Sequence, residues 1–599
     1  MPMLRAVLLS CVVLLISLPT LSAQTTLDWG TIATGDLFDF AFAAAERSDG
    51  TVVVAGATSS PFFPTTAHPA PTPQGNEDVV VLCFDPSLVG AAQLLWVSYL
   101  AGDDLDAAFE LVIDDQDRAW VVGLSQSSNF PTTAGAFSSQ PAGSSDGFVA
   151  RFGVGGTLEW ATRIGGSGRE AATGLMVAGD RVWVAGTTDS ADFPTTVGAP
   201  QEQAGGGLDQ FVVELASDVS GAASLRFGSY LGGTGDEGLF PAPINGQTFE
   251  VDRVSLDRSP TGLIAVAGST TSSDFPTTVG AVQTGLAGIR DGSVAILELD
   301  GSGGGVVSYG SYLGGTNDEQ IFDVRWLDDD HLALGGTTVS NDFPVTTGAF
   351  QGTYGGGGFD GFVAKLDRLG SGLGAIETST YFGGTSDDSI VSLSVIGGDV
   401  VAVVGNSLGN VPTTPDALVA SYLPGFAFAG RAQIFDLAAT GSAQLLYSTF
   451  LSGPTGSIIW GGSAREGRVT VAGWTNGDDL PVANPFASDV DFIGMAILRL
   501  DTPFFTPPGP IFRRGDVNDD GALNIADAVA GLSELFSSVM AVDCDEAKDV
   551  NDDGAVNIAD PVFLLGVIFG GTQTLPEPVS CGIDPAPAGL DCAAYTSCP

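Results

Sequence analysis

Histidine is almost missing from this chain: among 599 residues there are two, His68 and His331. That scarcity removes a Ser-His-Asp triad with a supporting His pair, and most zinc chemistry. The sequence also lacks a phosphate-binding glycine loop and a nucleophile elbow. Basic residues are few, 21 Lys and Arg against 70 Asp and Glu, giving a formal net charge of −49. Binding a phosphate backbone needs cations that this chain does not supply, so nucleic acid is not expected as a partner. The acidic surplus suits a soluble protein in a salty or calcium-containing medium, with acidic turns kept in water. Charged residues are 15% of the total against 44% hydrophobic, enough to bury a large core, so the chain is not disordered as a whole.

Long apolar runs are missing too, apart from Ala6–Leu18. That run is too short for a bilayer span of about 20 residues. Arg5 before it and Leu21-Ser22-Ala23 after it complete the pattern of a cleaved signal peptide over 1–23, so the mature chain is expected to begin at Gln24. Cys11 lies inside the apolar run rather than at its end, which argues against a lipoprotein signal. The protein is therefore expected to be secreted or held at the cell surface, and not membrane-integral. Five cysteines remain after cleavage. Cys544, Cys581, Cys592 and Cys598 cluster at the end and are expected to form two disulfides, with all three connectivities open. Cys83 is left over. Its repeat slot elsewhere holds Arg151, Glu214, Glu298, Lys365, Asp436 and Arg499, so Cys83 is expected to be partly exposed and chemically inert.

Glycine is abundant, 83 residues, about twice its usual share. Seven of them mark a repeat: Gly56, Gly123, Gly186, Gly268, Gly336, Gly405 and Gly473, spaced 63 to 82 residues apart. A proline follows each by about eight residues, at Pro64, Pro131, Pro194, Pro276, Pro344, Pro412 and Pro481. In the second copy, Leu94–Leu100, Phe109–Ile113, Ala119–Gly123 and Asp146–Phe152 alternate and end in turn residues as strands do. The same order recurs in every copy. Seven units of four short strands predict a seven-bladed β-propeller over 24–502, an all-β fold in which neighbouring blades cover each sheet. The longest link, about 20 residues between the third and fourth strands, reads as the crossover between blades. Each blade would then run fourth-first-second-third, with Met495–Leu500 pairing with Leu27–Ile32 to close the ring.

Proline fixes its own φ and extends the residue before it, which aims Phe63, Phe130, Phe193, Phe275 and Phe343 inward as inter-blade anchors. Val411 and Leu480 fill this slot in the last two copies. The units resemble a bacterial β-propeller repeat family with the pattern YLGGT…GST…DFPTT…DAFVAKL. Here it reads Tyr230-Leu231-Gly232-Gly233-Thr234, Gly268-Ser269-Thr270, Asp274-Phe275-Pro276-Thr277-Thr278 and Asp360-Gly361-Phe362-Val363-Ala364-Lys365-Leu366. The resemblance covers roughly 27–501 and implies a fold rather than an activity. One copy is longer, around Gly238–Val251, and insertions in repeats often lie on a binding face. The acidic turns after the first strands form a shared slot: Asp103, Asp104 and Asp106, then Asp236 with Glu237, Asp318 with Glu319, and Asp387 with Asp388. Such residues cap wet turns; ringed around an axis, they would also suit a hard cation.

A Pro-rich linker spans 503–512. After it, one twelve-residue loop occurs twice, from Asp516 and again, 33 residues on, from Asp549. Calcium takes six to eight oxygens, from loop positions 1, 3, 5, 7, 9 and 12. Asp516, Asn518, Asp520, the Ala522 carbonyl, Asn524 (through water) and Asp527 fill those positions. Asp549, Asn551, Asp553, the Ala555 carbonyl, Asn557 and Asp560 repeat them. Two calcium ions are therefore the expected cofactors. Each loop runs into an apolar-striped helix: Val529, Leu532, Leu535 and Phe536, then Val562, Leu565, Ile568 and Phe569. The segment 513–570 resembles a type I dockerin, a small α-helical module of paired half EF-hands, with a Cys-containing tail over 571–599. That resemblance implies a cohesin-like partner bound through loop positions 10 and 11. These are Ile525-Ala526 and Ile558-Ala559 here, in place of the hydroxyl residues common in cellulose-degrading systems.

The leading expectation is an exported, non-catalytic binding or scaffold protein. Its propeller presents a ligand face, with a polysaccharide or a cell-surface protein as candidate ligands, and its end docks to an extracellular partner. The alternative is an extracellular polysaccharide hydrolase or lyase, the propeller being catalytic through a carboxylate pair and the dockerin a targeting tag.

Overall fold

The structure is a computed structural model that describes residues 25–63, 73–238, 253–423, 425, 427–477, 479–480, 493–504, 512–537, 543–570, 575–576, 578–579 and 592–594. The signal segment, Pro64, His68, most of the Gly238–Val251 insertion, Pro481, Cys581, Cys598 and most of the linker lie outside these residues. The chain divides into two compact units, Met1–Phe504 and Phe505–Pro599.

The first unit is a seven-bladed propeller of four-stranded antiparallel sheets. Blade 1 comprises Asp39–Glu46, Val52–Thr58, Asp78–Phe84 and Leu94–Leu100. Blades 2 to 6 open on Asp106–Ile113, Glu170–Ala178, Ser255–Arg258, Glu319–Trp326 and Asp388–Gly397, each followed by three more strands in chain order. Blade 7 takes Ser457–Arg465, Arg468–Thr475 and Gly494–Asp501 from the end of the unit and Thr26–Ala33 from its start. The opening strands meet one another in a closed cycle and surround the axis. Middle strands such as Asp78–Phe84 are buried at every position. They read as continuous apolar runs because both sheet faces are covered by neighbouring blades.

Ring closure follows the expected pairing, with Leu27 opposite Leu500 and Ala33 opposite Met495. The phasing differs. Gly494–Asp501 lies inside blade 7, between Thr26–Ala33 and Arg468–Thr475. Each blade therefore runs second-third-fourth-first in repeat order, and the long link stays within its blade. The crossover is the short acidic turn, for example from Leu100 to Asp106. Three strand spacings, ~14 Å, separate the outer and inner edges of a sheet, a distance that five extended residues can cover. The long link is held on its own blade instead. Tyr230, on the outer strand, donates its hydroxyl to Ser190 O (2.7 Å) and accepts from Phe193 N (2.9 Å). Tyr312 and Tyr381 repeat this clasp on Phe275 and Phe343.

The Phe anchors lie where the proline geometry places them. Phe63, Phe130, Phe193, Phe275 and Phe343 are all buried, each in the apolar layer shared by two blades. Phe130, Phe193 and Phe343 pack at a tilt against Phe148, Phe211 and Phe362, with ring centroids 4.7, 4.5 and 4.4 Å apart. Cys83 is buried rather than partly exposed. Its slot lies between sheets, and charged occupants such as Lys365 and Arg499 reach out to carboxylates from there. Burial pushes the Cys83 thiol up to about 11, in keeping with an inert role.

The repeat glycines have a steric cause. Six of the seven opening strands carry a bulge opposite the glycine of the adjoining strand, as between Ala108 and Glu110 or between Ile321 and Asp323. The bulged strand folds its carbonyl over the glycine. A Cβ at Gly56, Gly123, Gly186, Gly336, Gly405 or Gly473 would lie 1.8 to 2.0 Å from that oxygen. Blade 4 is the exception: its opening strand is four residues long, and Gly268 faces the Gln210 side chain.

The second unit contains helix α1 (Ile525–Ser537), a short helix α2 (Asp545–Lys548) and helix α3 (Ala559–Leu565), which continues into a π-helical turn over Gly566–Gly570. Val517, Ala528, Val550 and Leu564 form its small core. Cys544 and Cys592 are joined by a disulfide. Of the expected apolar stripes, Leu565 and Ile568 pack against this core, whereas Val529, Leu535, Phe536, Val562 and Phe569 are exposed.

Gly123→Ala is expected to destabilise the propeller by at least ~2 kcal/mol through overpacking against backbone. Gly155→Ala, where a Cβ meets nothing within 4 Å, should stay within about 0.5 kcal/mol of the parent. Denaturant unfolding of the two variants checks this; equal stabilities would contradict the steric account.

Candidate functional sites

The two acidic loops of the second unit adopt one geometry. In the first, Asp516 accepts from the N–H groups of Asp520 (3.1 Å) and Gly521 (2.9 Å). Asp527, at the start of α1, accepts from the N–H groups of Asn518 (3.3 Å) and Asn524 (2.8 Å). The second loop repeats every bond: Asp549 with Asp553 and Gly554 at 3.1 and 2.8 Å, and Asp560 with Asn551 and Asn557 at 3.3 and 2.7 Å. Gly521 and Gly554 have φ of +77° and +81°, the left-handed turn that position 6 needs. Asn518 bonds Asp520, and Asn524 bonds the Ala522 carbonyl, so the residues at positions 3, 5, 7 and 9 gather on one side of the loop. Asn551, Asp553, Ala555 and Asn557 do the same. Burial, more than the neighbouring acids, raises the carboxyls of Asp527 and Asp560 above their usual range. A hard cation is what such an oxygen set favours.

The duplication extends to the surface. Ile525 and Ile558, at loop position 10, are 52% and 54% exposed. Val529 and Val562 are 55% and 61% exposed, and Phe536 and Phe569 74% and 70%. Each pair is 33 residues apart, so the two halves display equivalent apolar residues.

In the propeller, the acidic slot divides in two. Its outer members cap loops: Asp103 accepts from Ser128 N and Oγ, Asp236 from Leu208 N, and Asp387 from Gly358 N. Its inner members, Asp106, Glu237, Glu319 and Asp388, are fully buried, as are Asp39 and Glu170, and all but Glu237 stand at the start of an opening strand. Each binds hydroxyls just beyond the repeat glycine. Thr58, Thr188, Thr270 and Thr338 donate to Asp39, Glu170, Glu237 and Glu319 at 2.5, 2.7, 2.8 and 2.6 Å. Ser60, Ser127, Ser190 and Ser272 add a second bond. The Thr-x-Ser that follows most repeat glycines is the sequence signal of this latch, which the acidic slot alone does not reveal.

The carboxylates also face one another across blade boundaries. A Cβ at Gly232 would meet Asp209 Oδ1 at 2.2 Å and Glu237 Oε2 at 2.3 Å, so the two acids flank that glycine closely. Gly165, Gly314 and Gly383 are flanked in the same way by Asp146 and Glu170, by Asp291 and Glu319, and by Asp360 and Asp388. Arg163 answers one pair, at 2.9 Å from Asp146 with both side chains buried. Buried Arg431 acts on Asp360 and Asp388. Burial raises Asp106 to about 7. It also raises Asp209 and Asp360 to about 7, helped by Glu237 and Asp388 respectively. Two acids at one junction keep a proton between them.

The axis is filled by the bulged residues. Phe42 meets Phe109 edge-on at 5.5 Å and Trp460 at 6.2 Å. Thr173 bonds both the N–H and the carbonyl of Val254. Arg253 of blade 4 reaches across to the Phe42 carbonyl of blade 1 at 3.3 Å and approaches Glu110 at 3.7 Å. Beside it, Asp323 binds Ser255, Arg325 and Leu393 N. These charges are paired within the ring, and among the described residues no three acids of the turns bring ligand atoms within 4.8 Å of one another.

No family model matches the chain. The regulatory protein FlaEY of Caulobacter vibrioides is 24% identical over 377 residues, which are 58% of this chain and 35% of that protein. The chain thus spans about a third of the length of the curated relative it matches. Among solved structures, an ulvan lyase, a polysaccharide lyase, overlaps 79% of this chain and 95% of its own with a TM-score of 0.39 at 9% identity. The WD40 propeller domain of Doa1 overlaps 79% and 97% with a TM-score of 0.36 at 10% identity. Neither overlap bears on activity.

A carboxyl with a raised folded-state pKa holds its proton more tightly when folded. Its stabilisation is complete below the unfolded pKa and is lost as pH rises through the folded value. For Asp106, Asp209 and Asp360 that window runs from 3.8 to about 7. The melting temperature of the propeller is therefore expected to fall between about pH 4 and about pH 7. Asp209→Asn should flatten this slope. Calorimetry across pH checks it, and a slope unchanged in the variant would contradict proton sharing at this junction.

Proposed function

We propose that this protein is an exported, non-catalytic binding protein. In this reading its propeller presents a ligand face, and its C-terminal module folds around two calcium ions and docks to a cohesin-like protein partner. The observation that carries the reading is the bond-for-bond repetition of the two acidic loops, together with equivalent exposed apolar residues on the helices they start. Asp516, Asn518, Asp520, the Ala522 carbonyl and Asp527 would hold one ion, with Asn524 acting through water. Asp549, Asn551, Asp553, the Ala555 carbonyl, Asn557 and Asp560 would hold the other. When bound, calcium supplies the positive charge that lets these carboxylates lie together, so binding energy becomes folding energy. The residues themselves shape the loops through backbone bonds and leave oxygen lone pairs for the ion.

The apolar residues Ile525, Val529, Phe536, Ile558, Val562 and Phe569 form the docking surface in this reading. A partner that buries them would gain hydrophobic free energy with little charge to desolvate. The name of the FlaEY relative, a regulatory protein, accords with a binding role.

The module has a core too small to fold well alone. Chelation is expected to unfold 513–570 while the propeller stays folded, and Asp520→Ala combined with Asp553→Ala should reproduce the effect. Calorimetry of the exported protein with and without calcium checks this. A single transition that calcium does not move would sink the calcium reading, and measurable turnover of a polysaccharide would replace the non-catalytic one.

A further inference from the structure

In blade 5, three neighbouring strands bring unlike ligand types to one spot at the end opposite the long loop. His331 begins the second strand and Asp367 ends the third, directly opposite each other in register. Glu377 stands on the fourth strand where the pairing slips between Lys365 and Leu366. A bulge of this kind re-aims a side chain. One ligand atom from each of His331, Asp367 and Glu377 lies within 4.8 Å of the other two, the one such group of three among the described residues.

The imidazole orientation is fixed from outside this group. Nδ1 of His331 lies 2.8 Å from both carboxylate oxygens of Asp328, and Asp328 also accepts from the His331 N–H at 2.8 Å. A carboxylate only accepts when ionised, so Nδ1 carries the hydrogen, and in the neutral form of the ring Nε2 presents its lone pair. That lone pair faces Glu377 Oε1 at 3.5 Å. In that form two acceptors face each other, and a proton or a metal ion is needed between them. Lys365 does not provide it at that point: its ammonium binds the other oxygen of Glu377 at 3.0 Å and Asp399 at 2.9 Å. Arg368 is engaged by Asp330 at 2.7 Å and by the Asp329 carbonyl at 2.9 Å. Asp328, Asp330, Asp367, Glu377 and Asp399 thus outnumber the two cations around the ring.

We propose that His331 Nε2, Asp367 and Glu377 form a divalent transition-metal site of the zinc class, with Asp328 as the positioning residue behind the histidine. One imidazole nitrogen with two carboxylates suits zinc and its neighbours rather than calcium, which takes oxygen alone. A carboxylate behind a ligating histidine is the usual support for such a ring. Three protein ligands on a half-exposed surface leave a coordination position for water or for a donor from another molecule. The site is built from a single histidine, which is why a scarcity of histidine in the sequence did not reveal it. It is independent of the calcium loops.

The test uses the full chain, stripped of transition metals and kept in calcium. Cobalt(II) titration is read by visible absorption and zinc titration by calorimetry. One cobalt per chain is expected, displaced by zinc, with binding weakening in acid as His331 takes up a proton. H331Q should abolish the cobalt spectrum, H68Q should leave it intact, and D328N should weaken zinc by about tenfold to a hundredfold. Unchanged melting of the propeller in H331Q separates loss of ligand from loss of fold. No cobalt spectrum in the parent chain, or one that survives H331Q, would overturn the proposal and leave His331 as an imidazolium bridging Asp328 and Glu377.

Discussion

The propeller depends on a backbone oxygen lying over a glycine. In six blades the strand at the axis gains one residue, and the slack is taken up by folding its carbonyl across the neighbouring strand where a Cβ would lie within 2.0 Å. Three consequences follow from that contact. The glycine recurs at fixed spacing because no other residue fits. The extra residue turns toward the axis, so Phe42, Phe109 and Trp460 meet there and fill it. The strand end beyond the bulge is set so that its first carboxylate reaches the Thr and Ser just past the glycine.

Those carboxylates reconcile an acidic chain with a tightly packed ring. A large negative charge destabilises a compact state when it is ionised and close together. Here a set of the acids is buried at blade junctions, where hydroxyls and backbone N–H groups bind them and adjacent acids share protons. Arg163 and Arg431 enter at two of the junctions and partly offset the burial that raises the carboxyls there. The outer acids of the same turns remain in water as loop caps. A single slot in the repeat thus holds a structural acid and a solvated one side by side.

The number of blades, their four strands and the closing pair were legible because glycine, proline and aromatic signals recur in order. The phasing was not. A link of about 20 residues reads as a crossover, whereas backbone bonds to the outer strand and, in three blades, the tyrosine clasp on the residue after Asp192, Asp274 or Asp342 keep it on its own blade. Cys83 was misjudged because long charged side chains can occupy a buried slot and still carry their charge to a partner, whereas a thiol there is simply enclosed. The helix stripes of the second unit divide between two surroundings. Their spacing is helical, with Leu565 and Ile568 packed on the core around Ala528 and Leu564, and Val529, Phe536, Val562 and Phe569 exposed. Periodicity identifies a face without saying what covers it. The acidic loops were legible residue by residue, because their ligand positions are local in sequence. The His331 group was not, because it joins three strands.

Blade 4 offers the most direct test of the central claim, that the bulge over glycine holds the ring. Its opening strand is reduced to Ser255–Arg258, and Gly268 meets a side-chain amide instead of a carbonyl. Gln210 of blade 3 bonds Ser293 of blade 4 at 3.0 Å in that place. Amide hydrogen exchange resolved by blade is the measurement. Ser255–Arg258 is expected to exchange first among the opening strands, with the other six protected to a similar degree. Equal protection in all seven blades, or earlier exchange in a blade that has the bulge, would contradict the account.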